Sequence, residues 1–144
     1  EYFITICIQD FIEVFGEIVN EKMILNNYGE IAWKFWREIP KHYENIKINE
    51  FVVIPNHIHG IIVINRTTNS VGTALAVGAA HWAVPTLSHI INQYKGAVTR
   101  MIRKNFNDYD FKWQRSFYDR IIRTDNEFWQ IKEYIKNNPS KYGS

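Results

Sequence analysis

An α+β fold on one antiparallel sheet is predicted by three observations. The chain opens on a β-branched, aromatic run. Near its middle two apolar runs meet at a Pro-Asn pair. Between and after these lie apolar stripes with the 3.6-residue period of helices.

Each element follows in order. "YFITICI" (Tyr2–Ile8) reads as a buried strand. From Glu21 the period becomes helical, with Leu25, Tyr28, Ile31, Ala32, Phe35, Trp36 and Ile39 on one stripe that Pro40 ends. Ile46–Ile54 and His57–Asn65 form a hairpin across a tight Pro55-Asn56 turn. Arg66–Val84, rich in Thr, Ala, Gly and Val without a period, is expected to be a long flexible loop. Pro85-Thr86 opens a helix whose stripe is Leu87, Ile90, Ile91, Tyr94, Val98, Met101 and Ile102. A fourth strand is expected within "FKWQRSFYDRIIR" (Phe111–Arg123), and Thr124 to Glu127 has the spacing of a capping box. The helix that follows is expected to end at Pro139. The order β-α-β-β-α-β, then α, is ferredoxin-like: an antiparallel sheet with helices on one face and the other face free. Many chemistries share that fold, so function has to come from a site.

Composition narrows the choice. With 144 residues, 46% of them hydrophobic, one domain with an ordinary core is expected over residues 1–144. One cysteine, Cys7, excludes a disulfide framework or a cysteine-rich zinc site and points to a reducing, cytoplasmic setting. No apolar run is long enough for a membrane span, and no signal-peptide pattern opens the chain. The sequence starts at Glu1 directly in a strand, so trimmed termini are expected. Between Lys95 and Arg123 stand eight of the 17 basic residues and three of the 15 acidic ones, a local charge of +5 against −3 elsewhere. Such a block is either a solvated helix face or the footprint of a polyanion.

The residues with the most chemistry lie in "VVIPNHIHGIIVI" (Val52–Ile64). Alternate strand residues share a face, so His57 and His59 point the same way and could ligate one metal ion, supply a lone general base, or simply pack. The residues after His59 are apolar. A hard cation such as Mg²⁺ or Mn²⁺, completed by water and a substrate phosphate, suits so sparse a ligand set; His42, His81 and His89 stay open as further ligands. In "WQIKEYIKNNP" the core stripe is Phe128, Ile131 and Ile135; Tyr134 lies beside it, with Asn138 four residues on. A phenol and a carboxamide on one edge of a terminal helix could be brought over the histidine strand.

Taken in order, "YFITICIQD", "VVIPNHIHGIIVI", "WQRSFYDRIIR" and "YIKNNPSKYG" resemble the consecutive blocks of the REP-associated tyrosine transposases, within the HUH single-tyrosine superfamily. The resemblance spans nearly the whole chain apart from the Arg66–Val84 loop. It implies a ferredoxin-like fold with an added C-terminal helix that carries a nucleophile. It also implies Mg²⁺ or Mn²⁺ on His57 and His59, with Asn138 as third ligand. Tyr134 would attack a phosphodiester of single-stranded DNA, giving a 5′-phosphotyrosine that is later rejoined. The implied partner is single-stranded DNA with hairpin-forming repeats, and a monomer is favoured over a dimer. Lys95, Arg100, Arg103, Lys104 and Arg115 are the candidates for DNA-backbone contacts; Trp113 and Phe117 could stack on bases but suit the core better. Relatives commonly carry His where Arg120 stands, so that position takes no role. The basic segment that commonly precedes their first strand is not in this sequence. An unperturbed phenol has a pKa of about 10, and no residue stands out as the base that would deprotonate it. Two other readings remain: a module that binds single strands without cutting, and a phosphoesterase that uses water.

Overall fold

The computed structural model describes residues 1–65 and 84–142; all but the last residue of the expected Arg66–Val84 loop lies outside them. The elements are β1 (Tyr2–Cys7), a short 3₁₀ turn (Gln9–Phe11), β2 (Gly16–Val19), β3 (Lys22–Leu25), α1 (Asn27–Arg37), α2 (Ile39–His42), β4 (Ile46–Ile54), β5 (His57–Ile64), α3 (Leu87–Phe106), β6 (Tyr118–Ile121), α4 (Asp125–Lys136) and α5 (Asn138–Lys141). The main sheet runs β4-β5-β1-β6, antiparallel throughout. This is the strand order of the ferredoxin-like arrangement, with α1 and α3 as its crossovers.

The pleat sorts β1 into two sets. Ile4, Ile6 and Ile8 join Ile58 and Ile62 of β5 in the main core, against Ala32 and Trp36 of α1 and Ile90, Ile91, Tyr94, Val98 and Ile102 of α3. The α3 stripe is therefore the one its spacing predicts except at Met101, which is outside the main core and lines a cleft with Ile31 and Phe106. Gly60 sits where Trp36 crosses the sheet, and a Cβ there would lie 2.4 Å from the indole Cζ2. Trp36 is fully buried and edge-on to Tyr94, whose hydroxyl donates to the Ala32 carbonyl, so the ring has nowhere to retreat. Gly60→Ala is expected to cost about 1–3 kcal/mol, the usual cost of overpacking, read as a lower melting temperature with two-state unfolding retained.

β4 carries one extra residue between Ile48, opposite Ile62, and Phe51, opposite Gly60. This bulge keeps Ile46, Ile48, Phe51 and Val53 all on the core side, and it puts Val52 and Ile54 on the other face beside the histidines.

Four expectations are corrected. Glu21–Leu25 is not helical: Asn20 and Glu21, both at positive φ (52° and 64°), form the turn of the β2–β3 hairpin. α1 starts after Asn26, whose side chain accepts from the Gly29 amide. Pro40 does not stop α1, which ends at Arg37; it opens the short α2, where a missing N–H needs no partner. Pro139 likewise falls inside α5 rather than ending α4, whose C-cap is Asn137. Nor is the second sheet face free. α4 lies on it, with Ile131 and Ile135 packed on Ile61 and Ile122 in a small cluster of their own, flanked by Phe3, Val52, Val63 and Phe128. The capping residue is as expected: the Thr124 hydroxyl accepts from the Glu127 amide.

Candidate active site

The face beneath α4 carries the histidines. Across it, Val52, His59, Thr5 and Tyr118 stand in one cross-strand row, and Ile54, His57 and Cys7 in the next. The His57 and His59 rings are 4.6 Å apart between centroids. Each uses Nδ1 for a neighbour: His57 Nδ1 lies 2.6 Å from Asn56 Oδ1, and His59 Nδ1 lies 2.9 Å from Thr5 Oγ1. Asn56 Oδ1 can only accept, so the His57 Nδ1 carries the proton and its Nε2 keeps a lone pair. This is how a ligating imidazole is oriented by a second partner.

Burial also keeps both rings neutral. It lowers His57 to about 4. His59 falls to about 3, first through burial and then through the neighbouring His57, opposed by a hydrogen bond with the Ile4 backbone. Neutral imidazole is the form that binds a metal. Cys7, directly across from His57, is buried with its thiol pushed up by desolvation, which makes it a poor nucleophile.

α4 brings Tyr134 to the pair. Its ring lies 5.5 Å from that of His59 and edge-on to Phe3 at 6.1 Å, and it is 46% exposed. Asn138 is buried, but α4 has already ended, so it belongs to α5 and not to one continuous helix with Tyr134. The next turn brings in Tyr142. Its ring is 6.3 Å from His57 and its hydroxyl donates to Glu13 Oε2, with the phenol pushed up to about 12 by burial and by that carboxylate. Thr5, Asn56 and Tyr142 were not singled out from the sequence. Thr5 was accessible in principle, since it alternates with Phe3 and Cys7 on the side of β1 away from the main core. Among the described residues no group of three His, Cys, Asp or Glu comes together as a metal site. His42 lines a cleft between the helices on the opposite face, and His89 packs on Tyr43; His81 lies outside the described residues.

The basic block divides. Lys95, Arg103, Lys112 and Arg115 line an open cleft of about 530 Å³ together with Gln9, two residues beyond Cys7. Lys95 is anchored there, its Nζ donating to the Gln114 and Ser116 carbonyls, and Arg103 lies over the Tyr109 ring. Arg100 lines a different cleft, of about 300 Å³, with Glu38 and His42. Lys104 is exposed on α3 and lines neither of these two. Trp113 and Phe117 pack against the core, as their apolar character suggests.

The family model described as "Transposase IS200 like" matches residues 83–138, the span that includes α3, β6 and α4. An uncharacterized protein of Haemophilus influenzae is 38% identical over 143 residues, covering 96% of this chain and 79% of that protein. The chain belongs to the IS200-like transposase family. Two solved structures share the fold of this IS200-like transposase. A REP-associated tyrosine transposase bound to a REP hairpin superposes with a TM-score of 0.66 at 18% identity, over 99% of this chain and 67% of that one. A Deinococcus radiodurans protein assigned as a transposase superposes with a TM-score of 0.57 at 13% identity, over 94% of this chain and 88% of that one. The transposase reading made from the sequence blocks is borne out. Among the described residues, no helix of the transposase is long and apolar enough to cross a membrane.

Proposed function

We propose that this transposase is of the REP-associated kind and cuts and rejoins single-stranded DNA through Tyr134. The observation that carries the reading is the Tyr134 ring against His59, which itself stands against His57, on the face that α4 covers. A solved structure of similar fold holds a REP hairpin, which makes hairpin-forming DNA the partner to test.

Two neutral imidazoles with Nδ1 occupied are nitrogen donors suited to a divalent ion, and the Asn138 carboxamide, buried in the turn after α4, is the proposed oxygen donor beside them. His57, His59 and Asn138 would hold Mg²⁺ or Mn²⁺, which when bound polarises the scissile phosphate. Tyr134 Oη attacks phosphorus and the bond to the 3′ oxygen breaks. The phenolic proton is lost, and the departing oxygen gains one to become a 3′-hydroxyl. The phosphodiester is conserved as a 5′-phosphotyrosine, so attack by a 3′-hydroxyl rejoins a strand and returns the phenol. Half-exposed, the Tyr134 ring reaches solvent for both the DNA end and the proton.

The test is a denaturing gel with labelled single-stranded, hairpin-bearing oligonucleotides in Mg²⁺. A protein–DNA adduct is expected. Cleavage without adduct would mean a water-using phosphoesterase, and binding without cleavage a passive module.

The cleft of Arg103, Lys112 and Arg115 is the proposed track for the DNA backbone; Lys95, already anchored, contributes its charge from the wall. Binding is then expected to weaken as salt rises. Arg103→Ala or Arg115→Ala should each lower the log–log slope by ~0.7, while Arg100→Ala, in the other cleft, leaves it unchanged. Equal effects from all three would return the block to a diffuse charged face.

A further inference from the structure

Trp129 is not part of either hydrophobic cluster of the protein and is 57% exposed on the outer side of α4. A single exposed tryptophan needs no explanation. This one lines the same open pocket, of about 450 Å³, as Tyr134. Glu133 and Asn137 continue its side of the helix, and Gln130 and Lys141 complete the walls. The indole is braced from within its own helix: Phe128 meets it edge-on at 5.5 Å, and Lys132 Nζ sits 5.2 Å from the ring centroid. With Lys132 over one face of the ring, the braced indole loses little freedom when a second flat group is laid on the other. The single acidic group in the pocket, Glu133, is balanced by Lys141.

We propose that Trp129 is a stacking platform for a nucleobase of single-stranded DNA next to the phosphate that Tyr134 attacks. The inference rests on the reading of Tyr134 as nucleophile and adds a base-binding subsite to it. A strand whose scissile phosphate lies at Tyr134 has flanking bases freed from duplex stacking, and the nearest exposed aromatic face in that pocket is the indole. Stacking of this kind accepts any base, so the subsite contributes affinity and position and not sequence choice.

Binding of oligothymidylate is compared with that of an abasic deoxyribose-phosphate strand of equal length, using the full chain with Tyr134→Phe so that no strand is cut. The parent is expected to prefer oligothymidylate. Trp129→Ala should lose roughly 5- to 150-fold of that affinity, the range of one base stack, with abasic-strand binding unchanged, and Trp129→Phe should keep most of it. A lost fold or lost phosphate contact would lower both probes together, and that result would overturn the proposal. So would unchanged binding in Trp129→Ala, or a parent without preference for the base-bearing strand. Adduct formation is read separately in the Tyr134 protein: adduct without base preference removes only the stacking platform, and base preference without adduct removes only the nucleophile.

Discussion

Tyr134→Phe is expected to fold, bind DNA and form no covalent adduct. The change removes one oxygen from a half-exposed ring and leaves its edge contact with Phe3, so the melting temperature should hardly move. Tyr118 is the rival. It stands in the same cross-strand row as His59, beside Thr5, and is 60% exposed. One strand separates it from His59, however, and the Tyr134 ring is directly against that histidine. Tyr118 Oη accepts from Gln114 Nε2 at 3.3 Å, and Asp119 follows in sequence, where its charge disfavours both a phenolate and an incoming phosphate. Tyr118→Phe is therefore expected to keep most of the adduct yield. Peptide mapping of trapped adduct should place the nucleotide between Trp129 and Lys141. A nucleotide on Tyr118 would overturn the assignment and leave the family membership intact.

The second large effect is at the histidines. His57→Ala with His59→Ala should reduce Mg²⁺- or Mn²⁺-dependent cleavage by about 10³-fold or more, because several kcal/mol of charge stabilisation goes with the ion. His59 is only 7% exposed and bonded to Thr5, so the pair of changes also leaves a small void and an unpartnered hydroxyl; a loss of about 2 kcal/mol is expected. The metal-free protein offers a second readout. Both imidazoles bind a proton near 6.5 when unfolded but only near 4 and 3 when folded, so acid favours the unfolded chain. Stability should be level above about pH 7 and fall as pH drops from 6.5 toward 4. The double variant should lack that part of the fall. Normal cleavage by the double variant would sink the metal assignment.

Much of this was legible because it is local. The α3 and α4 stripes, the Pro55-Asn56 hairpin and the two-residue histidine spacing are short-range patterns that the structure preserves. The sequence offered the closeness of Tyr134 to the histidines only as something a terminal helix could bring about; that α4 covers the second sheet face was not expected. What the sequence concealed is long-range or small. Thr5 meets His59 across 54 residues, a pairing that no window along β1 contains. The β2–β3 hairpin was absorbed into the α1 stripe because Leu25 happens to fall in phase with Tyr28 and Ile31. The break at Asn137 was missed because the Tyr134–Asn138 interval matches a helical turn whether or not the helix runs through it. The basic block looked like one patch in sequence, but α3 carries its cations around the cylinder, and Arg100 ends up in a different cleft from Arg103.

The sheet separates two apolar clusters of unequal size, and that inequality sets what can come apart. α1 and α3 hold to one side through most of the buried residues; α4 holds to the other mainly through Ile131 and Ile135 on Ile61 and Ile122. At about 1.5–3 kcal/mol per buried aliphatic side chain, lifting α4 exposes those four isoleucines at a cost of roughly 6–12 kcal/mol and leaves the larger cluster on the other face buried. Its far end is already divided from α5 at Asn137. The arm that bears Tyr134 is thus held by the smaller of the two clusters, and is the layer that opens at lower cost. If Tyr134 is the nucleophile proposed above, the same opening would take a DNA end away from His57 and His59 while the strand that presents them stays folded.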